Sequence, residues 1–185
     1  AAIKDRREYQ LVTAQLDFRG EGTMMFGIGV DADLRDAANN LVQVGQGGIG
    51  LGVRDYYVND DDQTKKIRSA YKAYMKKLFQ MVGNDEATAQ KKMEAVMAIE
   101  TRIAKASYSQ VELRDIDKNY HKMTYNQLVT DYPGIDWGNV FLASGFPAFK
   151  EICVGQPEPI HEVEKVLAET SLDDLKTYAE IKVIA

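Results

Sequence analysis

A glycine-rich run, two histidines, one cysteine and one oddly placed glutamate are the residues of this 185-residue sequence whose types and spacing suggest chemistry. Gly45-Gln46-Gly47-Gly48-Ile49-Gly50 satisfies G-x-G-x-x-G. A dinucleotide site also needs a helix opening directly from the last glycine, so that its first amides cradle the pyrophosphate. Here Leu51-Gly52-Val53-Arg54-Asp55 follows, and the next long helix is expected only behind Asp60, Asp61 and Asp62, three carboxylates that repel a phosphate. The run therefore reads as a close-packed turn. The aspartates are consecutive and lack the alternating spacing of a calcium loop, so they read as a helix cap.

His161-Glu162 opens the H-E-x-x-H pattern of a zinc peptidase helix, but Lys165 stands where the second histidine belongs. His121 has Asp117 four residues before it and Tyr125 four after. Both histidines read as surface or interface residues, and no metal site is expected within these residues. Cys153, between Ile152 and Val154, has no neighbouring base and reads as a buried thiol. Tyr56, Tyr57, Tyr71 and Tyr74 read as core residues rather than as a ligand groove. Glu100 lies four residues after Val96 and three before Ile103, on the apolar face of its helix. A carboxylate buried there needs a partner, and Arg54 and Arg114 are the candidates for an architectural pair.

These residues need elements to hold them. Ile3 to Phe18 predicts a helix with Tyr9, Leu11, Val12 and Leu16 inward. Met24, Phe26, Ile28 and Val30 alternate with small residues as in a strand, and Leu41 to Val44 predicts a second strand beyond a polar connection, Asp31 to Asn40. From Asp62, Ile67, Tyr71, Tyr74, Leu78 and Val82 recur at helical spacing. Gly83-Asn84 breaks that helix, with Asn84 as the expected cap of a second one carrying Ala89, Met93, Val96, Met97, Ile103 and Ala104. Thr124 to Gln127 is a capping box, with Met123 and Leu128 as its staple. Trp137 to Ser144, Pro159 to Thr170 and a last segment capped by Ser171 predict further helices. That last segment is still apolar at Ile181, Val183 and Ile184, which leads us to expect a longer polypeptide.

Composition narrows the class. Twenty-eight acidic and 23 basic residues give a net charge of −5, which disfavours nucleic acid. No run approaches the ~18 apolar residues of a membrane helix. The start, Ala1 to Tyr9, lacks the layout of a signal peptide. One cysteine excludes an internal disulfide, and two histidines leave little for a multi-imidazole site. The expected fold is mainly α: a helical bundle with a short β-hairpin near the N-terminus. It is taken as one partial domain over 1–185, with 1–60 holding the first helix, hairpin and glycine turn, and 61–185 a helical lid region.

The stretch from Gln46 to Tyr57, QGGIGLGVRDYY, resembles the "Q-G-G-L-G-L-P-D-R-D-Y-Y" of the neprilysin and endothelin-converting-enzyme family of zinc metallopeptidases. Ala98 to Ala104 is similar to the family's "L-E-T-x-L-A". Glu112 to Asp115 and Tyr120 to Thr124 resemble "x-x-R-D-x-x-x-x-Y-N-K-M-T". Asp136-Trp137 matches "D-W", and Leu175 to Tyr178 resembles "L-K-x-Y-L-x-W". Gly52 replaces the family's proline, His121 stands for asparagine and Ile181 for tryptophan.

The resemblance implies the N-terminal part of a two-lobed endopeptidase that cleaves oligopeptides by a zinc-activated water. It places the zinc ligands and the substrate-backbone residues in a C-terminal catalytic domain of the same polypeptide. No catalytic, cofactor or metal residue is carried onto this chain. Arg54, Asp55, Tyr56, Tyr57, Glu100, Arg114, Asp115 and Trp137 are expected to be structural. The expected role is a lid that shapes the cavity and limits substrate size. The alternative is a stand-alone helical module that binds peptides without cutting them. A bacterial protein of periplasm, cell surface or medium is expected ahead of a cytoplasmic one.

Overall fold

A computed structural model describes residues 3–185; the first two residues of the Ala1 to Tyr9 stretch lie outside the described residues. Eight α-helices and a four-stranded sheet make up the described chain. Helix α1 is Arg6–Phe18, capped by Asp5, whose side chain accepts from Glu8 N; Ile3 precedes it. Tyr9, Thr13 and Ala14 are its buried residues, while Leu11, Val12 and Leu16 are half-buried.

The hairpin is longer than its hydrophobic pattern. Strand β1 is Phe26–Asp33 and β2 is Asp36–Gln46, paired antiparallel from Phe26↔Gln46 to Ala32↔Asn40. The expected connection over Asp31 to Asn40 is thus mostly strand. Water reaches most of both sides of this distal half, so its residues carry no alternation.

Two further strands, which are too short to show a period, come from the later sequence. They are β3 Lys122–Thr124 and β4 Glu151–Val154. Strand β4 runs parallel to β2, with Val42↔Ile152 and Val44↔Val154, and antiparallel to β3. The order is β1-β2-β4-β3, so the sheet joins residues on both sides of position 60.

The short α2 is Asp55–Val58, and α3 (Asp62–Met81) and α4 (Glu86–Ala106) form the long antiparallel pair. Asp61 caps α3, accepting from Thr64 N at 2.9 Å. Asp85, not Asn84, caps α4; Asn84 instead donates its side-chain amide to Phe79 O at 2.9 Å, closing the end of α3. The buried face of α3 is also rotated from the expected one. Thr64, Met75 and Phe79 point inward, whereas Tyr74 and Val82 are about half exposed. Residues 71, 75 and 79 are successive i, i+4 neighbours on that face. The expected apolar positions of α4 are all buried.

A 3-10 turn, Glu112–Arg114, leads to β3 and to α5 (Tyr125–Asp131), which opens with the expected Thr124/Gln127 capping box. Helix α6 is Trp137–Ala143, α7 is Pro157–Glu169 and α8 is Leu172–Ile184, the last capped by Ser171. One apolar core runs from Tyr9 through Trp137 to Ile181. Trp137 is fully buried, stacked on Phe141 at 5.7 Å, with its Nε1 donating to Tyr132 O at 2.9 Å.

Candidate functional site: a buried carboxylate beneath the glycine turn

The glycine run leaves β2 and folds back over the helices. Gln46 anchors its start. Its side chain donates to Tyr108 O and accepts from Tyr108 N, while its own backbone N–H donates to Gln156 Oε1 at 2.8 Å. Gly48 has φ +78°, and a Cβ there would lie 2.7 Å from Met25 Cα and from the Tyr178 hydroxyl. Tyr178 donates that hydroxyl to Gly48 O at 2.5 Å. A Cβ on Gly50 would sit 1.9 Å from the Tyr71 hydroxyl and 3.2 Å from Glu100 Oε1. The turn is glycine-rich because side chains from α3, α4 and α8 press against its backbone.

Glu100, fully buried on α4, receives four donors. Its Oε1 accepts from Gly50 N at 3.1 Å, from the Tyr71 hydroxyl at 3.1 Å and from Lys182 Nζ at 2.6 Å. Its Oε2 accepts from the Tyr57 hydroxyl at 2.7 Å. Tyr57 in turn accepts from Leu51 N at 3.0 Å, so its hydroxyl relays the turn to the carboxylate. Burial, and then the Glu100 charge, push the Tyr57 and Tyr71 hydroxyls well above the usual phenol range, which keeps them protonated as donors. One carboxylate therefore ties together the turn, α2, α3, α4 and α8.

The need for a partner at Glu100 was legible, but its identity was not. Lys182, 10% exposed in its side chain, takes the place expected for Arg54 or Arg114. Arg54 stands beside Glu112, its Nη1 3.9 Å from Oε2, and its Nε is buried without a hydrogen-bond partner. Arg114 is exposed on the 3-10 turn, and Asp115 is exposed, accepting from Lys118 N at 3.1 Å. Asp55 starts α2 in the first turn, where a carboxylate suits the helix dipole. Tyr56 is half-buried; its carbonyl and that of Asn59 accept from Arg68 Nη1, which fastens α2 to α3. Of the expected structural residues, Tyr57 and Glu100 meet in one cluster, whereas Arg114, Asp115 and Trp137 lie elsewhere.

The histidines are committed to other contacts. His121 Nδ1 lies 3.0 Å from Val154 O, and His161 Nδ1 lies 3.0 Å from Glu164 Oε2 with its ring stacked on Tyr132 at 4.5 Å. Among the described residues no three His, Cys, Asp or Glu side chains are grouped so as to hold a metal ion, so these residues do not fit a zinc site. Burial pushes the Cys153 thiol up, away from the reactive thiolate. Among the described residues no helix is long and apolar enough to cross a membrane.

The sequence profile described as "Peptidase family M13" matches residues 1–185. Endothelin-converting enzyme 1 of Rattus norvegicus is 33% identical over 141 residues, covering 76% of this chain and 18% of that protein. The crystal structure of the Mycobacterium tuberculosis zinc metalloprotease Zmp1 in complex with inhibitor superposes with a TM-score of 0.90 at 30% identity, over 97% of this chain and 27% of that one. The cryo-electron microscopy structure of Zmp1 in an open state gives 0.87 at 28% identity, over 97% and 28%. The chain belongs to peptidase family M13, the neprilysin and endothelin-converting-enzyme family, and corresponds to its N-terminal region. It spans about a fifth of the length of the relatives it matches and just over a quarter of the solved structures.

Proposed function

We propose that the chain is the non-catalytic N-terminal helical part of a zinc metalloendopeptidase that cleaves oligopeptides, where it forms a wall of the cavity and limits substrate size. The match of residues 1–185 to the family, together with the 0.90 superposition on inhibitor-bound Zmp1, carries this reading. The commitments of His121, His161 and Cys153 support a structural role for these residues. In this reading the metal and its ligands belong to the rest of the polypeptide, whose catalytic domain is the chain's partner. The Glu100 cluster keeps the wall rigid by fixing five segments at one buried point. We place the protein in a bacterial periplasm, at a cell surface or in the medium, on the resemblance and the single cysteine.

The test is cleavage of a quenched oligopeptide by the full-length protein and by residues 1–185 alone, each with and without a chelator. Chelator-sensitive cleavage is expected from the full-length protein and none from the shorter chain. Inert full-length protein loaded with zinc, or chelator-sensitive cleavage by residues 1–185, overturns the proposal.

A further inference from the structure

Strand β1 is an edge of the sheet, since the order β1-β2-β4-β3 leaves it paired on one side only. In an antiparallel pair, alternate residues turn their N–H and C=O groups away from the partner strand. Apart from β2, no backbone group among the described residues hydrogen-bonds the stretch from Phe26 to Val30. Proteins usually blunt such an edge with a lysine, a proline or a bulge. The eight residues of β1, FGIGVDAD, hold neither lysine nor proline, and the register shifts only at the far end, between Ala32 and Asp33. The edge is thus an unblunted row of donors and acceptors.

The two faces of β1 differ. Phe26 is buried and Ile28 packs against the core. Gly27, Gly29 and Asp31 alternate onto the opposite face. A Cβ at Gly29 would meet nothing within 4 Å, and one at Gly27 would meet only Gly45 O, at 4.0 Å. Glycine weakens a strand interior and marks a place where another backbone comes close. Large side chains of an added strand would therefore find open space over both glycines. Asp31 is exposed, accepts from Ala32 N at 2.7 Å and has no ion pair among the described residues.

We propose that the free edge of β1 binds an extended peptide by strand addition, with a cationic side chain of the peptide facing Asp31. This deepens the reading above, since it rests on the chain's being a wall of a cavity that admits oligopeptides. Main-chain hydrogen bonds supply the affinity whatever the peptide's sequence, and the side chains over Gly27, Gly29 and Asp31 set the preference. Two copies of a chain with a net charge of −5 repel each other, which favours a cationic peptide over a second copy at this edge.

Hydrogen–deuterium exchange of the full-length protein, held in chelator so that the peptide is not cleaved, tests this. The probe is a capped octapeptide of alternating lysine and valine. At saturation it is expected to slow the exchange of the edge amides between Phe26 and Val30 at least five-fold, with the interior of α4 unchanged. The same peptide N-methylated throughout lacks the donors and is expected to give no protection. One with glutamate in place of lysine is expected to protect at least three-fold less at the same concentration. Unslowed exchange overturns the proposal, and so does equal protection by either control peptide. Slow exchange before any peptide is added also overturns it: fading on dilution assigns the edge to a second copy, and persistence assigns it to the rest of the polypeptide. Exchange is independent of catalysis, so a failed cleavage assay leaves this result readable.

Discussion

Two carboxylates are buried in this chain with nearly the same set of donors, yet they hold very different amounts of structure. Asp33, at the tip of the hairpin, accepts from Arg35 N at 3.0 Å, the Tyr120 hydroxyl at 2.8 Å and Lys122 Nζ at 3.2 Å. Glu100, at the centre, accepts from a backbone amide, two tyrosines and Lys182. The surroundings differ. Lys122 has a third of its side chain exposed and is shared with Glu151 at 3.1 Å, so water and a second acid stand ready to replace a lost contact. Lys182 is only 10% exposed and Glu100 is its one ion-pair partner among the described residues, so no second charged group stands ready to replace it. A tyrosine–lysine–amide cradle is thus a local pin where solvent reaches it and a lock where solvent does not.

The contrast is broken most directly at the lysines. Lys182→Met is expected to destabilise the fold by about 3–5 kcal/mol, because it leaves a buried carboxylate uncompensated. Glu100→Ala should cost a similar amount, since it strands the ammonium and two tyrosine hydroxyls. Lys122→Met should cost clearly less than either. Urea midpoints rank the three, and equal shifts at Lys182 and Lys122 would sink the distinction. Combining Glu100→Ala with Lys182→Met removes both charges, so the loss should fall below the sum of the single effects.

Gly48→Ala comes next. The φ of +78° costs an L-residue roughly 1–2 kcal/mol, and the contact with Met25 Cα adds an overpacking cost, for about 2–4 kcal/mol in all. A smaller shift in the urea midpoint means that the turn can move away from Met25, and then the lock is looser than its distances imply.

The Glu100 lock was half legible in the sequence. Helical spacing put the glutamate on a buried face, and burial demanded a partner. The partner lies 82 residues away on a different helix, and no local pattern encodes that contact. The glycine run was legible as a tight turn because no helix follows it, but the hydroxyls that press on it come from residues 71 and 178. The sheet was legible only where one face is buried. Its solvated tip and its three- and four-residue strands show no period, so pairing between distant segments created them. The same logic explains α3. Its spacing announced a helix, but Met75 and Phe79 join Tyr71 on the inner face while Tyr74 and Val82 fall outside it, and only the packed neighbours decide which set is buried.

A smaller effect is expected from pH at the hairpin tip. The amide of Arg35, then the Tyr120 hydroxyl and Lys122, hold the Asp33 carboxyl below the usual range. A group with a lowered folded pKa contributes stability above the unfolded value, about 4 for Asp, and loses it as pH falls through the folded value. Asp33→Asn should therefore reduce stability near neutral pH and flatten the decline as pH falls below about 4. Urea midpoints across that range provide the check, and an unchanged acid limb means that the hairpin tip is not pinned by this charge.

The smallest effect is expected at Arg114, although it lies in a stretch that resembles the family. Its side chain is exposed and makes no hydrogen bond or ion pair among the described residues. Arg114→Ala should shift stability by no more than about 0.5 kcal/mol, the scale of a surface change away from any network. Glu100 and Arg114 thus stand at opposite ends of the comparison, one enclosed by four donors and the other facing solvent. A loss above about 1 kcal/mol would place Arg114 in the intrachain pairing that its geometry denies. A neutral result together with altered peptide cleavage by the full-length protein would assign the residue to the surface facing the rest of the polypeptide. The two readouts separate the roles, because pairing within this chain acts on stability and contact with the rest of the polypeptide acts on cleavage.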